Sequence, residues 1–166
     1  CELCQCNSLE DFIVPDKLQI LKCSQCGLYQ QGMSLVGVDY ASEYHEGYDR
    51  RRASKVRTAM IRLARLTRLA GPATGRLLDV GCSVGCTLEA AGRMGWEAIG
   101  TDVSADAIAT CQRLGCEAVA YDGEQLPFRD TTFDVITSWH VIEHVADVRR
   151  TLDEWYRVLK PGGWVM

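Results

Sequence analysis

No stretch of this 166-residue chain approaches the roughly 20 consecutive apolar residues that a bilayer-spanning helix needs. Nor does a basic-then-apolar leader open it. The expectation is a soluble, cytoplasmic protein with no membrane partner. Repeats and low-complexity tracts are missing too. With 47% hydrophobic and 24% charged residues, the composition is that of a globular protein with one sizeable core and a small appendage. A positive balance is also lacking: a net charge of −4 gives the surface as a whole no attraction for nucleic acid. The basic charge is instead concentrated. Arg50, Arg51, Arg52, Lys55, Arg57, Arg62, Arg65 and Arg68 lie in a stretch ending at Gly75 that holds no acid.

Cysteine is abundant. The nine cysteines are odd in number and follow no leader, which argues against a secreted disulfide framework. Cys1-Glu2-Leu3-Cys4 and Cys23-Ser24-Gln25-Cys26 are two C-x-x-C knuckles. Four thiolates so arranged satisfy a tetrahedral Zn2+ and leave no position for water, so the metal would be structural. Cys1, Cys4, Cys23 and Cys26 are the expected ligands, with Cys6 a spare that could replace Cys4. A redox C-x-x-C belongs at the start of a helix in a thioredoxin-like unit, and none surrounds it. Residues 1–32 read as a zinc ribbon too small to fold without its metal. Cys82, Cys86, Cys111 and Cys116 sit among apolar residues and read as small buried hydrophobes.

Residues 33–74 read as a linker and an amphipathic helix. Tyr40, Tyr44 and Tyr48 are spaced to share one helical face, and the apolar residues from Val56 to Ala70 recur at helical spacing before Gly71-Pro72. From residue 75 the pattern alternates. Strands are expected at Leu77–Val80, Ala98–Thr101, Ala118–Tyr121, Phe133–Ser138 and from Trp164, with helices at Val84–Met94, Ala105–Leu114 and Val148–Leu159. Strands separated by such helices mean right-handed crossovers, hence a doubly wound, Rossmann-like, mostly parallel α/β sheet. The chain opens on Cys1 and stops in what reads as a strand, so we expect a piece of a longer protein whose remaining strands follow Met166.

Asp79-Val80-Gly81-Cys82-Ser83-Val84-Gly85 lies where the first strand of this sheet passes into the first helix. Ligands of open α/β sheets bind at such a place, outside the carboxyl ends of the strands, where amides at a helix start can approach them. Asp79, Asp102 and Asp122 are expected to finish three successive strands at this edge. Carboxylates accept from ribose hydroxyls or an adenine amino group and repel phosphate, so the crevice suits a nucleoside without a pyrophosphate.

These segments resemble the class I S-adenosylmethionine-dependent methyltransferases over residues 75 to 166. "LLDVGCSVGCTLEAA" is similar to the family's first motif, "GTDVS" to the second, "YDGEQLPFRDTTFDVITSWHVIEHV" to the third and fourth, and "LDEWYRVLKPGGWVM" to the segment leading into the fifth strand. The resemblance implies that Asp79, Gly81, Cys82 and Gly85 frame the methionine part of S-adenosylmethionine. It implies that Asp102 holds the ribose, that Val103 lies beside the adenine, and that Asp122 accepts from the adenine amino group with Gly123 and Glu124 near it. Trp139 and His140 would face the sulfonium and the substrate. Ser83 departs from the glycine common there. The knuckles and tyrosine-bearing linker resemble the amino-terminal zinc-binding segment of bacterial sugar and natural-product methyltransferases.

Methyl transfer is an in-line displacement that sometimes needs a base. His140 and His144 in "WHVIEH" are the candidates, His140 first, with Glu143 between them. The same letters form H-x-x-E-H, a zinc-protease pattern out of place at a strand end; in ubiquinone-pathway O-methyltransferases a similar stretch can hold a divalent ion. The expected activity is methyl transfer to a small-molecule acceptor such as a sugar, saccharide or natural-product intermediate, with nucleic acid disfavoured by the net charge. The alternatives are an RNA base methyltransferase, which the arginine-rich helix would serve, and a non-catalytic cofactor-binding fragment. Oligomeric state stays open.

Overall fold

A computed structural model describes residues 1–13, 19–31, 48–71 and 75–166. The first two segments form a three-stranded antiparallel sheet of β1 (Leu9–Ile13), β2 (Ile20–Cys23) and β3 (Tyr29–Gln31), in the order β1-β2-β3. The rest builds α1 (Tyr48–Ala70), β4 (Arg76–Val80), α2 (Cys86–Arg93), β5 (Glu97–Asp102), α3 (Ala105–Arg113), β6 (Glu117–Ala120), β7 (Phe133–Ser138), a 3-10 turn (Ile142–His144), α4 (Val148–Val158) and β8 (Leu159–Val165). Five parallel strands run in the order β6-β5-β4-β7-β8. The sequence of strands therefore reverses between β4 and β7, and it is outside the carboxyl ends at such a reversal that open α/β sheets bind their ligands.

Side chains alternate across the sheet, so Leu77 and Leu78 enter different cores. On one face Val56, Ala59, Leu63 and Leu66 of α1 and Ala90 and Ala91 of α2 close over Leu77 and Val135. Towards β6 on the same side, Ile108 and Cys111 of α3 pack with Cys82, Leu88 and Ala118. On the other face Trp155 and Val158 of α4 cover Leu78, Val80, Phe133 and Ile136. Ser104 caps α3 by accepting from the Ala107 N–H, and Asp147 caps α4 by accepting from that of Arg150.

Four local expectations need correction or limits. α1 begins at Tyr48, eight residues before Val56, because the basic residues ahead of the apolar stripe are good helix formers. Tyr40 and Tyr44 lie outside the described residues. β6 ends at Ala120, so Asp122 stands two residues past the strand in the following turn. β8 starts at Leu159 rather than Trp164: Leu159 pairs with Phe133 and Trp164 with Val135, and the register shift between those pairs takes up Pro161, which has no N–H to give the ladder. Among the described residues no helix is long and apolar enough to cross a membrane.

Candidate functional site

The glycine turn is tied down from three sides. The Gly81 and Cys82 N–H groups donate to the Thr101 carbonyl at 2.8 and 2.9 Å, and the Gly85 N–H donates to the Cys82 carbonyl at 2.9 Å. Asp102 takes the Ser83 N–H on one oxygen at 2.8 Å and the Ser104 N–H on the other at 2.9 Å. The amides of Gly81, Cys82, Ser83 and Gly85 are thus spent inside the protein. These four amides form no open anion nest, which weighs against a pyrophosphate at the turn.

Both glycines are required by shape. Gly81 and Gly85 have φ of +73° and +77°, and a Cβ on Gly81 would run into Val141 while one on Gly85 would meet Cys111 Sγ at 3.0 Å. Ser83 manages φ +48° without being glycine. Sequence reasoning missed Arg52, which donates to the Val84 carbonyl at 2.7 Å and pairs with Glu89 at 2.7 Å, fastening α1 to the turn. Its only signal was membership of the arginine-rich stretch.

Asp79 is 2% exposed and accepts from the Thr137 hydroxyl at 2.6 Å. Burial pushes its carboxyl up to about 7, partly countered by the Thr137 and Thr87 hydroxyls. It braces β4 against β7. Asp122 is exposed and takes the Glu124 and Gln125 N–H groups at 2.8 and 3.1 Å, which hold its carboxyl below the usual range. Val103 is 57% exposed, and a Cβ on Gly123 would touch it at 3.5 Å, so the loops after β5 and β6 meet there. Asp102, Val103 and Gly123 thus stand together in the loops at the carboxyl edge of the sheet.

Beyond β7, Trp139 carries the Arg62 guanidinium over its ring at 4.1 Å. Its Nε1 is buried without a partner, as are Ser138 Oγ and Ser83 Oγ. Trp96 Nε1 and Thr101 Oγ1 are buried without a partner as well, so unpaired polar atoms are not confined to this edge, but Ser83, Ser138 and Trp139 bring three of them to the loops after β4 and β7. His140 has φ +57° and an 80% exposed side chain, with Nδ1 3.3 Å from Glu143 Oε1. His144 is exposed at the end of the 3-10 turn. The histidines thus share one loop after β7, and neither is buried.

The sulfurs of Cys1, Cys4, Cys23 and Cys26 all lie within 4.8 Å of one another. Cys1 to Cys26 and Cys4 to Cys23 are each 3.6 Å, close to the edge of about 3.8 Å for a tetrahedron with Zn–S of about 2.3 Å. The Cys26 N–H reaches Cys23 Sγ at 3.4 Å and is the main reason the Cys23 thiol is lowered to about 6. Cys6 Sγ stands 3.2 Å from Cys23 Sγ but outside the group of four.

The profile of a family described as "Methyltransferase domain" matches residues 78–166, which spans the glycine turn, the loops after β5 and β6, and β8. The chain belongs to this methyltransferase family. The chain is 39% identical over 94 residues to the ubiquinone biosynthesis O-methyltransferase of Nitrobacter winogradskyi, covering 53% of this chain and 36% of that protein. It is 36% identical over 93 residues to human "Probable tRNA methyltransferase 9B", covering 54% of this chain and 20% of that one. The chain therefore spans well under half the length of these curated relatives. A solved Methanococcus maripaludis protein, a candidate S-adenosylmethionine-dependent methyltransferase, superposes with a TM-score of 0.69 at 20% identity, over 81% of this chain and 66% of its own. At that identity the likeness establishes the Rossmann-like methyltransferase fold alone.

Proposed function

We propose that this protein is the methyl-transferring core of an S-adenosylmethionine-dependent enzyme. The observation that carries the reading is the set of loops at the β4/β7 reversal. Its turn amides are satisfied internally, while Ser83 Oγ, Ser138 Oγ and Trp139 Nε1 wait unpartnered beside it. Such a site refuses a pyrophosphate and offers polar partners to a nucleoside with an amino-acid tail. Asp102 would hold the ribose, with Val103, Asp122 and Gly123 at the adenine. Gly81, Cys82 and Gly85 would border the methionine part, with Asp79 bracing the floor. S-adenosylmethionine supplies a methyl group on a sulfonium. The chain's own part is then to orient an acceptor beside Trp139, exclude water, and take a proton where the acceptor carries one. His140 would do that, a role supported by Glu143 Oε1 3.3 Å from its Nδ1, and His144 of the same loop is the other candidate.

The acceptor reading is a small molecule, supported by the ubiquinone-biosynthesis name of one relative. Neither relative's name points to a sugar or natural product. RNA is the second reading, supported by the arginines of α1 and by the tRNA methyltransferase name of the other. We further propose that Cys1, Cys4, Cys23 and Cys26 hold a structural Zn2+, supported by the tetrahedral sulfur spacing, and that the protein works in the cytoplasm.

The test is calorimetric titration with S-adenosylhomocysteine. Binding by the chain, weakened at least about tenfold in Asp102→Ala, is expected for the loss of a charged hydrogen-bond acceptor. Equal affinity in the variant would remove the ribose assignment, and no binding by the folded chain would sink the cofactor reading.

A further inference from the structure

We propose that the outer face of α1 is a docking surface for the phosphate backbone of RNA. The inference rests on the second acceptor reading above and names the surface that would serve it. Successive residues of an α-helix are about 100° apart, which puts Arg51, Arg57, Arg65 and Arg68 on one arc of about 120° and over about 25 Å of axis. All four are exposed, and none has an acidic partner among the described residues. Ser54 is exposed on the same arc, a hydroxyl of the kind that also contacts phosphates, while the Thr58 hydroxyl donates to the Ser54 carbonyl at 3.1 Å.

The opposite arc is fully used. Val56, Ala59, Leu63 and Leu66 are buried in the core, so α1 is held rigidly and its arginines form a fixed track. The track leads to the chemistry, because Arg62, on the edge of the same arc, covers the Trp139 ring just after β7. A strand lying along α1 would bring a nucleotide to the place where the acceptor must enter.

The charge balance of the whole chain does not oppose this. Eight of the eighteen basic residues fall between Arg50 and Gly75 with no acid among them, so the field near α1 is positive although the total is −4. Arginine rather than lysine dominates, and its planar fork suits phosphate. A membrane surface fits less well. The apolar side of α1 is spent on the core, and among its described side chains only Ile61 and Leu69 are large, apolar and exposed, two turns apart.

Binding of a bulk tRNA preparation to the zinc-loaded chain, followed against salt concentration, tests the proposal. The expected log–log slope is about −3, set by four arginines at about 0.7 to 0.9 each. The triple variant Arg57→Gln/Arg65→Gln/Arg68→Gln should bind at least about tenfold more weakly in low salt, with a slope shallower by about 2. Single Arg57→Gln and Arg65→Gln variants should each lose about 0.8 of slope, which keeps the test open should the triple variant misfold. Unchanged affinity and slope in the variants would overturn the proposal, as would failure of the parent chain to bind. So would preference for phosphatidylglycerol vesicles over tRNA. S-adenosylhomocysteine titrated into the same samples separates the two readings: its loss with tRNA binding intact would overturn the methyl-transfer reading and leave the docking surface standing.

Discussion

The cysteine ribbon and the α/β domain are both sheets, yet they are held together by different physics. Among the described residues of the ribbon only Cys23 belongs to the buried apolar set, whereas the α/β domain supplies all the rest, on two faces of five parallel strands. Three strands with so little burial cannot offset the entropy of ordering them, so under the proposed zinc reading the ribbon would be folded by a metal on the four sulfurs at its base. The lesson is that a chain can carry one unit that a ligand folds and one that water folds. Each should fail by its own route.

The largest effect should come from the metal. Replacing Cys23 by Ser, or adding a strong chelator, should abolish zinc binding, an interaction of about 10 kcal/mol or more in small zinc modules, and should erase the amide protection of β1, β2 and β3. Hydrogen exchange read segment by segment checks this. Protection of β4 and β7 should survive, and its loss would mean that the two units are not independent.

Next in size is the core. Leu63→Ala removes a fully buried side chain between α1 and the sheet and should cost about 2–5 kcal/mol in denaturant unfolding of the α/β domain. Zinc content measured on the same variant should be unchanged. A fall in zinc content would blur the contrast.

A smaller effect concerns Asp79. Its folded-state carboxyl is raised to about 7 from an ordinary 3.8, so between about pH 4 and pH 7 the folded form holds a proton that the unfolded form has lost. Stability of the α/β domain should therefore be greatest below that window and fall as pH rises through it, by an amount on the order of a few kcal/mol. Asp79→Asn should flatten this slope in melting temperatures taken from about pH 4 to pH 8. An identical slope in the variant would show that another group is responsible.

The smallest is Arg52→Gln, which cuts the tie from α1 to the Val84 carbonyl and Glu89. We expect a loss of about 1–2 kcal/mol in stability, since hydrogen bonds made by charged groups are worth that much, with the ribbon again untouched.

Much of the fold is legible in the residues alone. The alternation of apolar runs after residue 75 foretells five strands and the helices between them, because side chains on a two-faced sheet must be apolar nearly throughout. The cysteine knuckles foretell a four-sulfur cluster, because ligand spacing in a knuckle is local. Asp122 is misplaced by two residues for the opposite reason: where a strand ends depends on its neighbour, and β6 pairs with β5 only as far as Ala120.

By itself, then, the sequence determined the periodicities, the glycine turn and the sulfur spacing, all set by interactions between residues close in the chain. Tertiary structure alone decided which groups were spent. Thr101 takes the turn amides from about twenty residues away, Thr137 reaches Asp79 across the sheet, and Arg62 covers Trp139 from another helix. Whether a polar atom is satisfied or waits for a ligand depends on what packing brings within about 3 Å of it, and no spacing along a chain fixes that.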